Sequence, residues 1–380
     1  MKIEEIEEEI KKAEKLIRQG YSRKLVISRL KEIYFPGEKI FEMAKCRIIS
    51  SKKFPSHNIF FDEYGLKYST PPLIAQYRAK RVKGNSIADV SCGVGVQLIF
   101  FAKNARVIGI EKDSYRAKMA ILNMEINGIK NYEIIEGDCL DKKIVERIDA
   151  DAIFSDPSRK ENEKKRKLNS LEPNPLKVYE IYKKRTDKIA FELPPQISRN
   201  EILIEGEKEY TSLNFTLNRL ALYTNELASC NISAVSLPSE ERITDMDEKI
   251  EVFFSDKIGE FIYEIDVTVV KAGLVSNLFG KIGFDGNLIK IGKRRSLATS
   301  SIPYNSSFLR RYKVMEICSF NLSEINKILK NINARKAILR IDIEPENYWN
   351  VRKKIESGLK GEKTYQIFKF EDKALIVEEG

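Results

Sequence analysis

The chain has few of the residues that bind transition metals or transfer protons near neutral pH. Its 380 residues include one histidine, His57, and five scattered cysteines without a CxxC pair: Cys46, Cys92, Cys139, Cys230 and Cys318. A Cys/His zinc cluster and acid–base catalysis by histidine are therefore not expected. The cysteine pattern also argues against a disulfide framework and for reduced thiols in the cytoplasm.

Long apolar segments are missing as well. No apolar run is long enough to span a bilayer, and the first residues, MKIEEIEEEIKKAEKL, are charged and lack the apolar core of a signal peptide. We therefore expect no membrane partner. The 66 Lys and Arg exceed the 56 Asp and Glu by ten, which favours a polyanionic partner such as RNA but also fits a solvated basic surface.

The residue patterns divide the chain into four parts. Residues 1–75 have helical spacing, and residues 76–240 contain apolar runs that alternate with amphipathic helical segments before becoming strand-rich. This alternation predicts an α/β fold with a Rossmann-like parallel sheet covered on both faces. Residues 241–300 form a connecting region without a clear pattern. Residues 301–380 show a β-α-β-α-β-β series, typical of a small α+β domain.

A glycine turn follows the first predicted strand. It reads Asp89-Val-Ser91-Cys92-Gly93-Val-Gly95 and precedes a predicted helix. Glycines at such a turn let the backbone approach a ligand closely, and the helix N-terminus favours polar or anionic groups. All five of these residues are therefore candidate cofactor contacts, although a turn of this kind alone would also serve a purely structural role.

Acidic residues follow the next two predicted strands. Glu111 ends the second strand, where a carboxylate can accept hydrogen bonds from both ribose hydroxyls of an adenosine. Asp138 follows the third strand, where it could accept a hydrogen bond from an adenine amino group beside the Cys139 backbone. Lys112 adjoins Glu111 and is a further candidate contact. Each of these residues alone would fit a solvent-facing loop, but their order favours an adenosine-containing cofactor.

Asp156-Pro157 ends the fourth predicted strand, at the sheet edge where open α/β sheets bind ligands. The main alternative for this series is a dinucleotide enzyme with the pattern GxGxxG. Here Gly93-Val-Gly95 is followed by VQL, so the third glycine is absent. A cofactor without a pyrophosphate does not need that glycine.

Residues 86–158 resemble class I S-adenosylmethionine-dependent methyltransferases through DVSCGVG, IEKD, EGD and DPSR. The wider chain is similar to bacterial and archaeal methyltransferases with a C-terminal THUMP-like domain, through GLKYSTPPLIAQYRAKRV, ELPPQI and the tail from FLRRYKVMEICSF to ALIVEE. The resemblance implies S-adenosylmethionine as the cofactor and RNA methylation as the activity, without fixing the substrate. We expect tRNA as the substrate, with rRNA as the alternative. The resemblance further implies that the tail docks RNA, whereas a packing or dimerisation domain is the structural alternative.

Two positions depart from that family pattern. Ser91 replaces the usual first glycine of the turn, which is tolerable if its φ is negative. The fourth-strand motif is Asp156-Pro157-Ser-Arg159 instead of Asp-Pro-Pro-aromatic. Asp156 and the Pro157 carbonyl are candidates to hold a target amino group, and Asp156 also borders the cofactor. Arg159 could stack on the base, contact phosphate or form a surface salt bridge.

The acceptor atom stays open between guanine N7 and N2. The basic run from Arg159 to Lys167 follows the fourth strand, where an RNA backbone would pass. Two other functions remain compatible with the motifs: a methyltransferase that acts on a protein or small molecule, and a non-catalytic RNA-binding protein with this fold.

Overall fold

A computed structural model describes residues 3–51, 53–54, 58–158, 167–292 and 295–380. His57, Arg159 and most of the basic run after it lie outside the described residues. The chain divides into two compact units. The first comprises Met1–Thr211 and Arg219–Asn231, and the second comprises Ser212–Asn218 and Ile232–Gly380. The four-part division expected from the residue patterns stays a prediction.

Five helices precede the first strand: α1 (Ile3–Arg18), α2 (Arg23–Ser28), α3 (Gly37–Ser50), α4 (Glu63–Tyr68) and α5 (Pro72–Arg81). The stripe Ile6, Ile10 and Ala13 on α1 is fully buried, as its helical spacing predicts. These helices share one apolar core with the sheet that follows, since Ile6 and Phe61 belong to the same buried cluster as sheet residues.

The first unit contains an α/β sheet, as predicted. Its strands are β1 (Ser86–Asp89), β2 (Arg106–Glu111), β3 (Tyr132–Glu136), β4 (Ala152–Ser155), β5 (Lys188–Leu193), β6 (Glu207–Leu213) and β7 (Leu217–Tyr223). Its helices are α6 (Val96–Phe101), α7 (Ser114–Ile126), α8 (Lys142–Arg147) and α9 (Pro175–Tyr182), with 3₁₀ turns at Leu168–Ser170, Arg199–Glu201 and Asn225–Leu227. The strand order is β3-β2-β1-β4-β5-β7-β6.

Strands β1 to β5 are parallel, and β7 is antiparallel to β5. The order reverses between β1 and β4, which makes a topological switch point. Asp89 of β1 pairs with Phe154 of β4, so the glycine turn and Asp156 leave the sheet at the same edge. The sheet therefore brings the sequence-predicted site to one crevice.

The second unit contains β8 (Ile232–Leu237), β9 (Glu241–Thr244), β10 (Phe261–Ile265), α10 (Val267–Ala272), α11 (Val275–Lys281), β11 (Asn287–Lys290), β12 (Ser296–Ser300), β13 (Leu309–Ser319), α12 (Leu322–Asn331), β14 (Ala334–Arg340), α13 (Pro345–Ile355), β15 (Lys363–Phe370) and β16 (Lys373–Glu379). One sheet has the order β11-β12-β10-β13-β16-β15-β14. The expected β-α-β-α-β-β series is present from β13 to β16. Strands β10 to β12, from the segment without a clear pattern, extend the same sheet.

In the described part of the chain, no helix combines the length and the apolar character that crossing a membrane requires.

Candidate active site

The glycine turn connects β1 to α6 and packs closely against α7. Gly93 and Gly95 have φ values of 54° and 82°, a region that favours glycine. A side chain at Gly95 would lie 3.2 Å from Met124 and 3.3 Å from Ala120, so this glycine lets α7 pack closely against the turn. At Gly93 a Cβ would meet nothing within 4 Å, which leaves open space beside the backbone at the crevice. Ser91 is not among the described residues with positive φ, so its side chain causes no strain there.

Ser91 joins the turn to the end of β4. Its hydroxyl accepts a hydrogen bond from the Asp156 backbone N–H at 2.8 Å and lies 3.1 Å from the Ser155 hydroxyl. A glycine at this position could make neither contact. The departure from the usual glycine therefore has a local structural use, which is to fix the Asp156 backbone beside the turn.

Asp89 and Glu111 are held by backbone N–H groups of the same crevice. Asp89 is buried, and its carboxylate accepts a hydrogen bond from Ser91 N at 3.1 Å. Glu111 accepts one hydrogen bond on each oxygen, from Gly93 N at 3.0 Å and from Asp113 N at 2.9 Å. Because an ionised carboxylate offers about four acceptor positions, Glu111 retains capacity for two further donors such as ribose hydroxyls.

Asp89 and Glu111 carry raised pKa values. Burial, followed by the charges of Asp156 and Glu111, raises the pKa of Asp89 to about 8. Burial likewise raises the pKa of Glu111, against the hydrogen bonds from Asp113 and Gly93. Three carboxylates around one crevice favour a ligand with positive charge, because such a ligand stabilises their ionised forms.

Asp138, Cys139 and Lys112, which follow β3 and β2, each form a contact within the chain. Asp138 accepts a hydrogen bond from Leu140 N at 2.9 Å, and the Cys139 carbonyl accepts one from the Tyr182 hydroxyl at 2.8 Å. The exposed Lys112 ammonium lies 2.8 Å from the Glu172 carboxylate, so its side chain is engaged by that acid. The assignment of these residues to cofactor binding stays a prediction.

The two cysteines of the site are not nucleophiles. Burial raises the pKa of the Cys139 thiol to about 12 and that of the Cys92 thiol well above its ordinary value. Both thiols are therefore neutral at physiological pH, and they can serve the site through shape and backbone alone.

The structure contains a buried group of ion pairs beside Asp156 that the sequence patterns did not predict. Arg78 on α5 and Glu192 at the end of β5 are 2% and 3% exposed and form an ion pair, and Arg219 of β7 pairs with the same carboxylate. The Arg78 guanidinium also lies 5.0 Å from the Phe154 ring. Arg78 continues the buried stripe of Ile74 and Ala75, and an arginine on an apolar helix face is the signal that could have revealed it.

The crevice residues fit S-adenosylmethionine. Glu111 has acceptor capacity for ribose hydroxyls, Gly93 leaves backbone open to a ligand, and the acidic surroundings suit a sulfonium cation. No group of three or more metal-ligating side chains occurs in the part of the chain that the structure describes.

Comparison with known proteins agrees with this chemistry. A family model described as RNA cap guanine-N2 methyltransferase matches residues 84–253, less than half of the chain. Two uncharacterized S-adenosylmethionine-dependent methyltransferases of Mycobacterium tuberculosis, from strains CDC 1551 / Oshkosh and ATCC 25618 / H37Rv, are each 27% identical over 300 residues, covering 76% of this chain and 79% of theirs.

The fold recurs along almost the whole chain in a solved structure from Porphyromonas gingivalis W83 that is assigned as a methyltransferase. That structure superposes with a TM-score of 0.76 at 18% identity and covers 98% of both chains. It therefore shows the shared fold. The cofactor crevice, the family model and the mycobacterial relatives agree that the protein is an S-adenosylmethionine-dependent methyltransferase.

Proposed function

We propose that the chain methylates the exocyclic N2 of guanine in RNA, with tRNA as the substrate. The observation that carries this proposal is the Asp156-Pro157 pair at the end of β4, fixed to the cofactor turn by the hydrogen bond from Asp156 N to the Ser91 hydroxyl. The family model for RNA cap guanine-N2 methyltransferases supports the same acceptor class.

The donor and acceptor pattern favours N2 over N7. An exocyclic amine carries two hydrogens, which the Asp156 carboxylate and the Pro157 carbonyl can accept together. Guanine N7 carries no hydrogen and is itself an acceptor, so two acceptor groups would not hold it. Between the two atoms considered from the sequence, N2 is therefore the better match to this pair.

The protein's contribution to the reaction is alignment and proton handling. S-adenosylmethionine supplies the methyl group from its sulfonium centre, which becomes a neutral thioether. Asp156 and the Pro157 carbonyl would orient the amine so that its lone pair points along the line of displacement, which can supply several kcal/mol by positioning. One N–H bond breaks as the N–C bond forms, and Asp156 is placed to take that proton or pass it to water.

RNA as the partner is supported by the positive charge of the chain. The basic run from Arg159 to Lys167 follows Asp156 in the sequence, although only Lys167 lies in the described part of the chain. The overall excess of ten positive charges points the same way. We further propose that the tail, residues 301–380, is the THUMP-like module that docks the RNA.

The proposal is tested by incubating the protein with methyl-labelled S-adenosylmethionine and bulk RNA from a strain that lacks it. We expect label in the tRNA fraction, and nucleoside analysis should identify N2-methylguanosine. Label in N7-methylguanosine would overturn the acceptor assignment. Label in protein or small molecules, with none in RNA, would overturn the RNA proposal altogether.

A further inference from the structure

The fourth-strand motif lacks a ring on which a target base could stack. Asp156, Pro157 and Ser158 contain no aromatic side chain, and Ser158 is occupied by backbone hydrogen bonds to Glu172 in both directions, at 2.7 and 3.0 Å. A base-methylating enzyme has to hold a flipped or single-stranded base in a defined plane, and aromatic rings commonly do so. A ring from another element would meet this need.

Helix α4 lies directly over the cofactor turn. The chain before it is fixed there by Asn123 of α7, which exchanges two hydrogen bonds with the Phe60 backbone and donates a third to the Val94 carbonyl at 2.8 Å. A Cβ at Gly65 of α4 would approach Val94 to 3.2 Å. The N-terminal helices therefore reach the crevice itself at this point.

The side of α4 that faces the turn carries two tyrosines. With about 100° between successive residues, Tyr64, Gly65 and Tyr68 lie within one arc of about 100°, on the side that contacts Val94. The rings of Tyr64 and Tyr68 are 4.6 Å apart between centroids, and both residues are partly exposed. The two ring planes are tilted by 53° to each other, and they form an aromatic pair beside the cofactor turn.

Positive charge flanks both rings of this pair. The Arg116 guanidinium lies 4.4 Å from the Tyr64 ring and is held there by Asp62 at 2.9 Å, while the Lys67 ammonium lies 4.9 Å from the Tyr68 ring. Stacking rings with adjacent cations match a nucleotide, which combines a π-face with a negative phosphate. A protein or small apolar substrate would not need this combination.

The Tyr68 end of α4 leads directly into α5, whose Arg78 pairs with Glu192 and lies 5.0 Å from the ring of Phe154 on β4, the strand that leads to Asp156. The Lys53 ammonium donates to the Ser69 carbonyl at 2.8 Å, and burial together with the nearby charge of Arg219 lowers the pKa of that lysine to about 8. Arg219 pairs with Glu192. Glu192 directly follows Phe191, which pairs with Ser155 in the sheet. Arg116, which contacts Tyr64, donates its backbone N–H to Asp113, and the backbone N–H of Asp113 donates to Glu111.

We propose that Tyr68, backed by Tyr64, is the base-stacking residue, and that α4 supplies the aromatic ring absent from Asp156-Pro157-Ser158. This inference rests on the proposed function, because it assumes an RNA base as methyl acceptor. It assigns the N-terminal helices a direct part in substrate binding, in addition to their part in the core.

The test compares Tyr68→Ala, Tyr68→Leu and Tyr68→Phe in methyl transfer to bulk RNA from a strain that lacks the protein. We expect Ala and Leu to lower kcat/KM for RNA by about 5- to 150-fold, the range for loss of one base–aromatic stack. Tyr68→Phe should keep wild-type kcat/KM. The affinity for S-adenosylmethionine, measured by calorimetry, should stay unchanged in all three variants, since α4 would act on the base.

Tyr21→Ala is the matched control, because Tyr21 is an exposed tyrosine with the Arg29 guanidinium 5.0 Å from its ring. Tyr21 lies two residues before α2, away from α4 in the sequence. This variant should methylate RNA as the wild type does. Wild-type kcat/KM in both Tyr68→Ala and Tyr68→Leu would overturn the stacking role. Failure of the proposed function looks different, since the unaltered protein would then bind the cofactor without labelling RNA.

Discussion

The two halves of the crevice are built by different means. On the cofactor side, the carboxylates of Asp89, Glu111 and Asp138 accept hydrogen bonds from backbone N–H groups, and each of these three acids bonds the residue two positions further along the chain. On the acceptor side, charges far apart in sequence are buried against one another, as in the pairing of Arg78 and Arg219 with Glu192.

This difference separates sites made by local backbone from sites made by tertiary packing. A carboxylate held by its own turn needs only that turn, so substitution there should affect ligand binding more than folding. A buried ion pair depends on three elements meeting correctly, and removal of one partner leaves charge without compensation. The cofactor side should therefore respond through affinity, and the acceptor side through turnover or stability.

The largest effect is expected for Asp156→Ala. Asp156 is proposed to orient the acceptor and to handle its proton, so loss of its carboxylate should lower kcat by about 10²- to 10⁴-fold, the usual range for a positioned acid–base group. The affinity for S-adenosylmethionine should change little, because Glu111 and the glycine turn remain. Single-turnover methyl transfer at saturating cofactor measures this loss. Near-normal turnover would disprove the assignment of Asp156.

Glu111→Ala is the matched variant from the cofactor side. It removes the acceptor proposed for the ribose hydroxyls, and charge-assisted hydrogen bonds contribute about 1.5–3 kcal/mol each. We expect weaker cofactor binding by calorimetry, with kcat largely recovered at saturating S-adenosylmethionine. If both variants lost affinity and turnover alike, the division of the crevice into two halves would not hold.

The next effect concerns stability on the acceptor side. Glu192→Ala leaves Arg78, which is 2% exposed, without its counter-charge, and breaking a buried pair in this way costs about 3–5 kcal/mol. Scanning calorimetry should show a lower transition temperature for the first unit. The comparison variant is Glu172→Ala. The side chains of Glu172 and its partner Lys112 are 58% and 60% exposed, so their ion pair should contribute less than about 1 kcal/mol to the free energy of unfolding. Equal shifts in the two variants would contradict this reading.

The same contrast explains what could be predicted from the sequence. The strand-helix alternation, the glycine turn and the acids at strand ends each follow a short local pattern, and the structure has the predicted α/β sheet with these residues at one edge. The β13 to β16 series was readable for the same reason. Ser91 was recognised as a departure, but its bond to Asp156 joins residues 65 positions apart and leaves no local signal.

Residues that act through long-range packing could not be predicted in this way. Arg78, Glu192 and Arg219 come from three segments, and nothing in their immediate neighbours shows that they meet. The strands from 261 to 300 were also missed, because their burial depends on pairing with β13, which follows much later in the chain. The tyrosines of α4 were passed over because the contact of Gly65 with Val94 exists only after folding.

The smallest expected effect is a pH dependence on the cofactor side. The pKa of Asp89 is about 8 without cofactor, above its usual value near 4, so at pH 7 this carboxyl is mostly protonated. S-adenosylmethionine is cationic and favours the ionised form, so its binding should release close to one proton at pH 7. Affinity should then rise with pH, roughly tenfold per unit well below pH 8, and level off above it.

Calorimetry in buffers with different ionisation enthalpies measures the proton released and the affinity together. Asp89→Asn should abolish the release and flatten the affinity profile, because the amide cannot ionise. Asp138→Asn, which alters an acid held by Leu140 N, should keep the release. An affinity that is independent of pH between about 6 and 8 in the unaltered protein would mean that Asp89 has the same protonation state with and without the cofactor. In that case, the cation would not shift the ionisation of this buried carboxyl, and the proposed coupling between cofactor binding and proton release would be wrong.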